Sequence, residues 1–306
     1  MTTDALTRVD PPDFAAQRAA VGALDAAARA VDGHSSLADA VWRDLAHPGR
    51  DSVGLLVDAR AYLHLARADG TDTSTWTAGL VRLPEARERP LTRALLDAGA
   101  QHVAHHGGGR LTCWILGATE ADDTTFAGAG FRPTRTLLEM RAPLPVAAVA
   151  RRPAGIEVRS FEPGRDEAAW LRVNNRAFAE HQDQGGWNEV TLRGRMSEPW
   201  FDPELFFLAF DREGLAGFNW MKQHMALEPD PPLGEIYVIG VDPRAQGTGL
   251  GRALALTGLH AVHERGAVEG MLFCAADNTG AFALYRSLGF AVHRTDRAYE
   301  RVIEAA

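Results

Sequence analysis

At 306 residues the chain exceeds one average domain and accommodates two cores of ordinary size. Hydrophobic residues at 46% and charged residues at 24% are ordinary globular values, with no polar tract long enough for extensive disorder. A net charge of −8, a pI near 5.8 and more Arg than Lys leave no electrostatic footprint for a polyanion, which argues against nucleic acid or an anionic membrane as a partner.

No apolar run approaches the roughly 18 residues needed to cross a bilayer, and Met1 to Asp13 lacks the basic-then-apolar pattern of a secretory signal. A cytoplasmic monomer is the expectation. In the first half a turn after Pro84 opens a helix. That helix ends in His102, His105 and His106, just before Gly107-Gly-Gly109. No carboxylate or Cys joins these histidines at ligand spacing, so they read as a solvated helix end, and no metal is expected. Cys113 lies in the apolar run Leu111 to Leu116 and Cys274 in Met271 to Ala275, which suits two buried small hydrophobes better than a disulfide. The segment Ala142 to Pro153 holds three prolines and no periodic pattern, so residues 144–153 read as a linker between domains 1–143 and 154–306. Its Arg151-Arg152 pair is too short for nucleic-acid affinity.

Either side of the linker the same order recurs: an apolar helix, a strand, a turn opening a helix, another strand, and a short helix ending in Gly-Phe. Sliding the chain against itself by 159 residues tests this. Pro84 then meets Pro243, Ala86 meets Ala245, and Arg93-Ala-Leu95 meets Arg252-Ala-Leu254; far downstream, Gly130-Phe131 meets Gly289-Phe290 and Thr136 meets Thr295. One offset serving two separated clusters marks two copies of one α/β domain.

In the second copy Gly234 to Asp242 is a short apolar, β-branched run stopped by Asp-Pro, the pattern of a buried strand. Gln246-Gly-Thr-Gly-Leu-Gly251 follows and opens a helix over Leu250 to His263, with Leu254, Leu256, Leu259 and Val262 able to face a core; His260 and His263 lie on its last turns, where His suits the helix dipole. Strand, Gly-rich turn and helix N-terminus make an anion site, because unpaired N–H groups converge there. The ligand should carry phosphate. A Walker A loop needs Gly-Lys-Ser/Thr, which is absent, and the dinucleotide fingerprint needs glycine at position 252, which is Arg.

What remains resembles the Gln/Arg-x-x-Gly-x-Gly/Ala signature of the GNAT superfamily of N-acetyltransferases. Downstream, Asp277-Asn-Thr-Gly-Ala-Phe-Ala-Leu-Tyr-Arg-Ser-Leu-Gly-Phe290 is similar to the second motif of that superfamily. The resemblance implies an α/β fold of two tandem GNAT-type domains, each a mixed, mostly antiparallel sheet flanked by helices. It implies that the loop cradles the pyrophosphate of acetyl-CoA, that Asn278 orients the pantetheine arm, and that the Tyr285 hydroxyl lies near the thioester sulfur.

Acetylating an amine requires it neutral, whereas an α-amino group with a pKa of roughly 7.7 to 8.0 is mostly protonated at pH 7. Glu235, at the start of the strand leading into the loop, is placed to serve as the base, directly or through a water. Tyr285 is placed to protonate the departing thiolate. Backbone N–H groups near Val238 to Val241 can polarise the carbonyl, as a splayed strand does in the superfamily. The first copy lacks all of these groups: at the same offset Gly249 and Gly251 meet Pro90 and Thr92, Tyr285 meets Phe126, and Glu235 meets Trp76. It reads as a degenerate domain, with weak CoA binding through Arg87 and Arg89 as an alternative.

The stretches Leu171 to Trp187, Glu198 to Pro203 and Gly217 to Lys222 resemble more closely the mycothiol synthase family of actinobacteria, over nearly the whole chain. That family acetylates the cysteinyl amine of desacetylmycothiol, without metal. By matching positions it implies that Asp39, Glu180, Lys222, Glu235 and Phe273 contact this substrate, Phe273 standing where the family has tyrosine. It implies that Ile239, Gly240, Val241, Gln246, Gly247, Thr248, Gly249, Leu250, Gly251 and Arg252 hold acetyl-CoA, together with Asn278, Thr279, Gly280, Ala281, Phe282 and Ala283. An acceptor of another kind, a protein N-terminus or an aminoglycoside-like amine, and a non-catalytic acyl-CoA sensor are the competing expectations.

Overall fold

The computed structural model describes residues 6–10, 13–47, 51–68, 74–87, 89–179, 185–226 and 230–306. In chain order the elements are β1 (Leu6–Val9), α1 (Phe14–Asp32), α2 (Asp39–Ala46), β2 (Val53–Val57), β3 (Ala61–Arg67), β4 (Thr75–Arg82), α3 (Arg89–His105), β5 (Gly109–Ile115), α4 (Glu120–Gly128) and β6 (Arg132–Pro143). There follow β7 (Glu157–Ser160), α5 (Glu167–Ala177), α6 (Glu189–Met196), β8 (Phe206–Asp211), β9 (Gly214–His224), β10 (Leu233–Val241), α7 (Leu250–Glu264), β11 (Glu269–Ala275), α8 (Thr279–Ser287) and β12 (Ala291–Ile303). The chain divides into two compact units: Met1–Leu138 with Ala275–Asp277 and Arg294–Ala306, and Glu139–Cys274 with Asn278–His293.

The first unit orders its strands β1-β2-β3-β4-β5-β12. All neighbours are antiparallel except β4 and β5, which run parallel. The last strand therefore joins this sheet between β5 and β6, with Arg297 to Ile303 paired to Ile115 to Gly109. Leu63, Leu80, Leu95, Val103 and Phe126 fill its core. The second unit orders β11-β10-β9-β8-β7, again antiparallel except for the parallel pair β10 and β11. One face of that sheet carries an aromatic core in which Phe206 stacks on Trp220 at 4.5 Å and Trp170 meets Phe218 edge-on at 5.2 Å. Each such pair adds about 0.5–1.5 kcal/mol beyond the area it buries. The other face is covered by α7, whose Leu254, Leu256, Leu259 and Val262 are all fully buried. Contact there is close enough to demand small residues: a Cβ on Gly234 would come within 2.2 Å of Val262, and one on Gly258 within 2.4 Å of Asn219.

The internal repeat is visible element by element. A 3-10 turn spans Pro84–Ala86 and again Pro243–Ala245, and α4 starts and stops at the positions that correspond to the ends of α8. Both cysteines are buried, and neither is in a disulfide. The histidine cluster departs from the expectation of a solvated helix end. His105 is exposed, but His102 is buried, stacked on His106 at 4.0 Å and edge-on to Trp76 at 5.5 Å. Burial first, then the neighbouring His106 and Arg8, push the His102 imidazole down to about 4, so the ring sits in the core uncharged. Among the described residues no cluster of three or more His, Cys, Asp or Glu could hold a metal, and no helix is long and apolar enough to cross a membrane.

Candidate active site

The site is built on the β9–β10 hairpin. Its ladder pairs Glu235 with Lys222 and Ile236 with Met221, then resumes at Val238 with Trp220, leaving Tyr237 as a one-residue bulge. A bulge resets the in-out alternation. Glu235 and Val238 consequently share the face of Phe218, Trp220 and Lys222, while Ile239 and Val241 turn toward α7. The parallel pairing of β10 with β11 stops at Ile236 and Leu272, although β10 continues to Val241 and β11 to Ala275. The two strands part at the bulge, and the backbone of β10 beyond Ile236 is no longer paired to β11. The corresponding β3–β4 ladder of the first unit runs from Ala61 to Arg67 with no register shift.

Before the bulge, one sheet face gathers polar groups. The Glu235 side chain is 10% exposed, and its Oε2 lies 2.7 Å from Nε2 of His224. Lys222 is its cross-strand partner, with the ammonium 5.1 Å over the Trp200 ring, and Trp200 meets Tyr237 at 4.8 Å. Strand alternation puts Met271 and Phe273 of β11 on the same face as Glu235, and Phe273 is 42% exposed.

Beyond the bulge β10 ends at Val241, and the next residue, Asp242, is buried, bonded by the Arg176 guanidinium, and accepts the Arg244 N–H at 3.3 Å to start the 3-10 turn. Thr248 Oγ1 donates to the Ala245 carbonyl at 2.7 Å and fastens the loop from below. Gly247 and Gly249 sit at φ +76° and +85°, and a Cβ on either would meet nothing within 4 Å, so what requires glycine here is the left-handed backbone and not space. The first bond of α7 runs from the Ala253 N–H to the Gly249 carbonyl. Among the described residues the N–H groups of 247–252 have no partner, and with the positive end of α7 they make a cradle that fits a diphosphate.

Downstream of β11 comes α8. Asn278 caps its N-terminus, its Oδ1 accepting the Ala281 N–H at 3.0 Å, so that oxygen is engaged in starting the helix. Thr279, Gly280 and Ala283 are exposed, and Ala281 and Phe282 are half-buried. Arg252 donates to Ser287 Oγ at 2.7 Å and ties the start of α7 to α8. Tyr285 is 6% exposed, and burial, then the neighbouring Cys274, raise its phenol well above the ordinary value, so the ring keeps its proton wherever a thiol titrates. Lys222, Glu235 and Phe273 thus share one face of the second sheet, and the cradle and Tyr285 belong to the same unit. Asp39 opens α2 in the first unit, where it is exposed, and Glu180 lies outside the described residues.

Reading the residues alone missed the Tyr237 bulge and His224. Glu235-Ile-Tyr-Val-Ile239 is apolar after its first residue and shows no broken alternation. His224 does carry a signal, since Lys222 and His224, two apart on a strand, must share a face. In the first unit Trp76, at the position corresponding to Glu235, is fully buried under Arg67, and Phe126, at the position corresponding to Tyr285, stacks on Tyr299 at 4.2 Å.

Residues 169–290 match the sequence profile of the acetyltransferase (GNAT) family. The chain is 46% identical over 244 residues to a mycothiol acetyltransferase of Thermomonospora curvata, covering 78% of this chain and 77% of that protein. It is 41% identical over 298 residues to one of Thermobispora bispora, covering 96% and 99%. Among solved structures, a GCN5-related N-acetyltransferase from Sphaerobacter thermophilus superposes with a TM-score of 0.76 at 22% identity over 100% of this chain and 98% of that one. A tandem GNAT protein from the clavulanic acid biosynthesis pathway gives 0.70 at 18% identity over 99% of each chain. These two likenesses speak to the fold, which is that of tandem GNAT domains. Identity above 40% over more than three-quarters of each chain carries the remaining step: the chain is an acetyltransferase and belongs to the mycothiol acetyltransferase family.

Proposed function

We propose that the chain transfers the acetyl group of acetyl-CoA to the cysteinyl amine of desacetylmycothiol, with the chemistry in residues 154–306 and with residues 1–143 as a copy without chemistry. The observation that carries this reading is the Tyr237 bulge in β10, which has no counterpart in the β3–β4 ladder of the first unit. On one side of the bulge stands a buried carboxylate; on the other, backbone freed from β11 leads to the diphosphate cradle. A donor laid from residues 247–252 along the freed strand brings its thioester to Glu235 and Tyr285.

Glu235 takes a proton from the substrate ammonium, and the neutral nitrogen forms its bond to the thioester carbon. The freed N–H groups of β10 steady the oxygen that gains charge. As the carbon–sulfur bond breaks, the Tyr285 phenol gives its proton to the thiolate, and the surplus proton of the new amide nitrogen restores the phenol. Lys222 and the Phe273 ring face the acceptor, whose hydroxyl groups call for convergent polar partners.

The test is release of free CoA from acetyl-CoA on adding desacetylmycothiol, with an aminoglycoside and a Ser-leading peptide in parallel. Saturable turnover with desacetylmycothiol alone is expected. Turnover with another amine alone would retire the acceptor assignment and leave the acetyltransferase chemistry standing.

A further inference from the structure

We propose that His224 is a positioning residue for Glu235, holding one carboxylate oxygen so that the other meets the amine; this rests on Glu235 being the base. An ionised carboxylate can only accept hydrogen bonds, so at 2.7 Å the Nε2 of His224 carries the proton and donates it to Oε2. That bond fixes the imidazole tautomer, and it fixes the carboxylate as well. Oε2 carries the His224 bond, and among the described residues no donor is bonded to Oε1, which is left for an incoming N–H.

The strand geometry makes the contact specific. His224 is the last residue of β9 and Leu233 its register partner, so it reaches Glu235 diagonally across the ladder, beside the direct partner Lys222. His224 is 30% exposed against 10% for the Glu235 side chain, and the imidazole closes the carboxylate on the side of the strand end. A carboxylate on two freely rotating bonds would spread over several orientations; the His224 bond removes that freedom before the amine arrives, which is where a general base gains rate.

His224→Leu removes the donor, whereas His224→Gln places an amide N–H close to the former Nε2. At saturating acetyl-CoA, with whichever amine supports turnover, His224→Leu is expected to lower kcat about tenfold or more. The KM for acetyl-CoA and the melting temperature should stay at the parental values, and His224→Gln should recover most of the rate. Because His224 acts through Glu235, the double variant His224→Leu/Glu235→Gln should be no slower than Glu235→Gln alone. A parental rate for His224→Leu overturns the proposal. So does a double variant whose losses multiply, and so does equal damage in the Leu and Gln variants with a lowered melting temperature. Glu235→Gln is measured on its own: if it keeps the parental rate, the base assignment itself falls, which separates that failure from failure of the His224 role.

Discussion

Arg82 donates to the Asp122 carboxylate at 2.7 Å, and its guanidinium also reaches Thr92 Oγ1 at 3.3 Å. Carried across the repeat, these residues correspond to Val241, Ala281 and Gly251, which in the second unit border the diphosphate cradle. Where the second unit has open backbone, the first has a buried ion pair spanning strand, loop helix and second helix. A cavity of about 520 Å³ lined by Leu80, Arg87, Gly117 and Thr119 remains beside the pair, and its Arg87 is held by Asp32 at 2.6 Å. One equivalent of acetyl-CoA per chain is therefore expected in calorimetric titration. A second equivalent of similar affinity would mean that the ion pair opens.

The same pair sets a pH dependence. Burial alone would raise the Asp122 carboxyl, but the Arg82 charge and hydrogen bond, with those of Thr119, outweigh it and hold it below the usual range. A depressed carboxyl contributes stability that is fully present above its unfolded value, about 3.9, and is lost as pH falls through the lower folded one. Arg82→Met leaves the buried carboxylate unpaired and should cost about 3–5 kcal/mol at pH 7. The loss should shrink toward pH 4.5, where the isolated carboxyl can take up a proton. Urea unfolding at the two pH values checks this, and an equal loss at both would show that Asp122 finds water or another partner.

How much of this could be read beforehand follows from which interactions are local. The strand into the loop, the glycines at φ +76° and +85°, and helices α7 and α8 are written in short contiguous stretches whose turn and cap residues have few alternatives. The bulge is not, because it depends on β9 pairing with β10 across the intervening loop. The partner of β12 is not legible either. Its Arg297 to Ile303 segment lies in the second half of the chain but pairs with β5 of the first unit, and nothing in a Val- and Arg-containing strand names the edge it joins. His102 departs from a surface residue for a related reason: His106 stacks on it from the next turn of the chain, but Trp76, which completes its burial, becomes a neighbour only once the first sheet has formed.

Tyr285→Phe removes one hydroxyl from a buried ring whose nearest aromatic neighbour is Phe290 at 5.9 Å, so packing should survive. Without the phenol the thiolate departs unprotonated. The expected result is unchanged acetyl-CoA affinity with kcat lowered about a hundredfold, the lower end of what a positioned proton donor supplies. An unchanged kcat in steady-state CoA release would remove Tyr285 from the mechanism.

Gly249 offers a sharper test of where the diphosphate binds. Its φ of +85° is a backbone that costs an L-residue about 1–2 kcal/mol, and a β-branched side chain fits it worst. Since a Cβ there meets no neighbour within 4 Å, Gly249→Val causes no clash; it acts by turning the peptide units on either side. Those units carry N–H groups of the cradle, so acetyl-CoA affinity should fall at least about tenfold, or about 1.4 kcal/mol. Meanwhile kcat at saturating acetyl-CoA should stay near the parental rate, because Glu235 and Tyr285 lie on β10 and α8 and not on the turn. Equilibrium titration and a saturation series separate the two effects. Parental affinity would place the diphosphate somewhere other than residues 247–252.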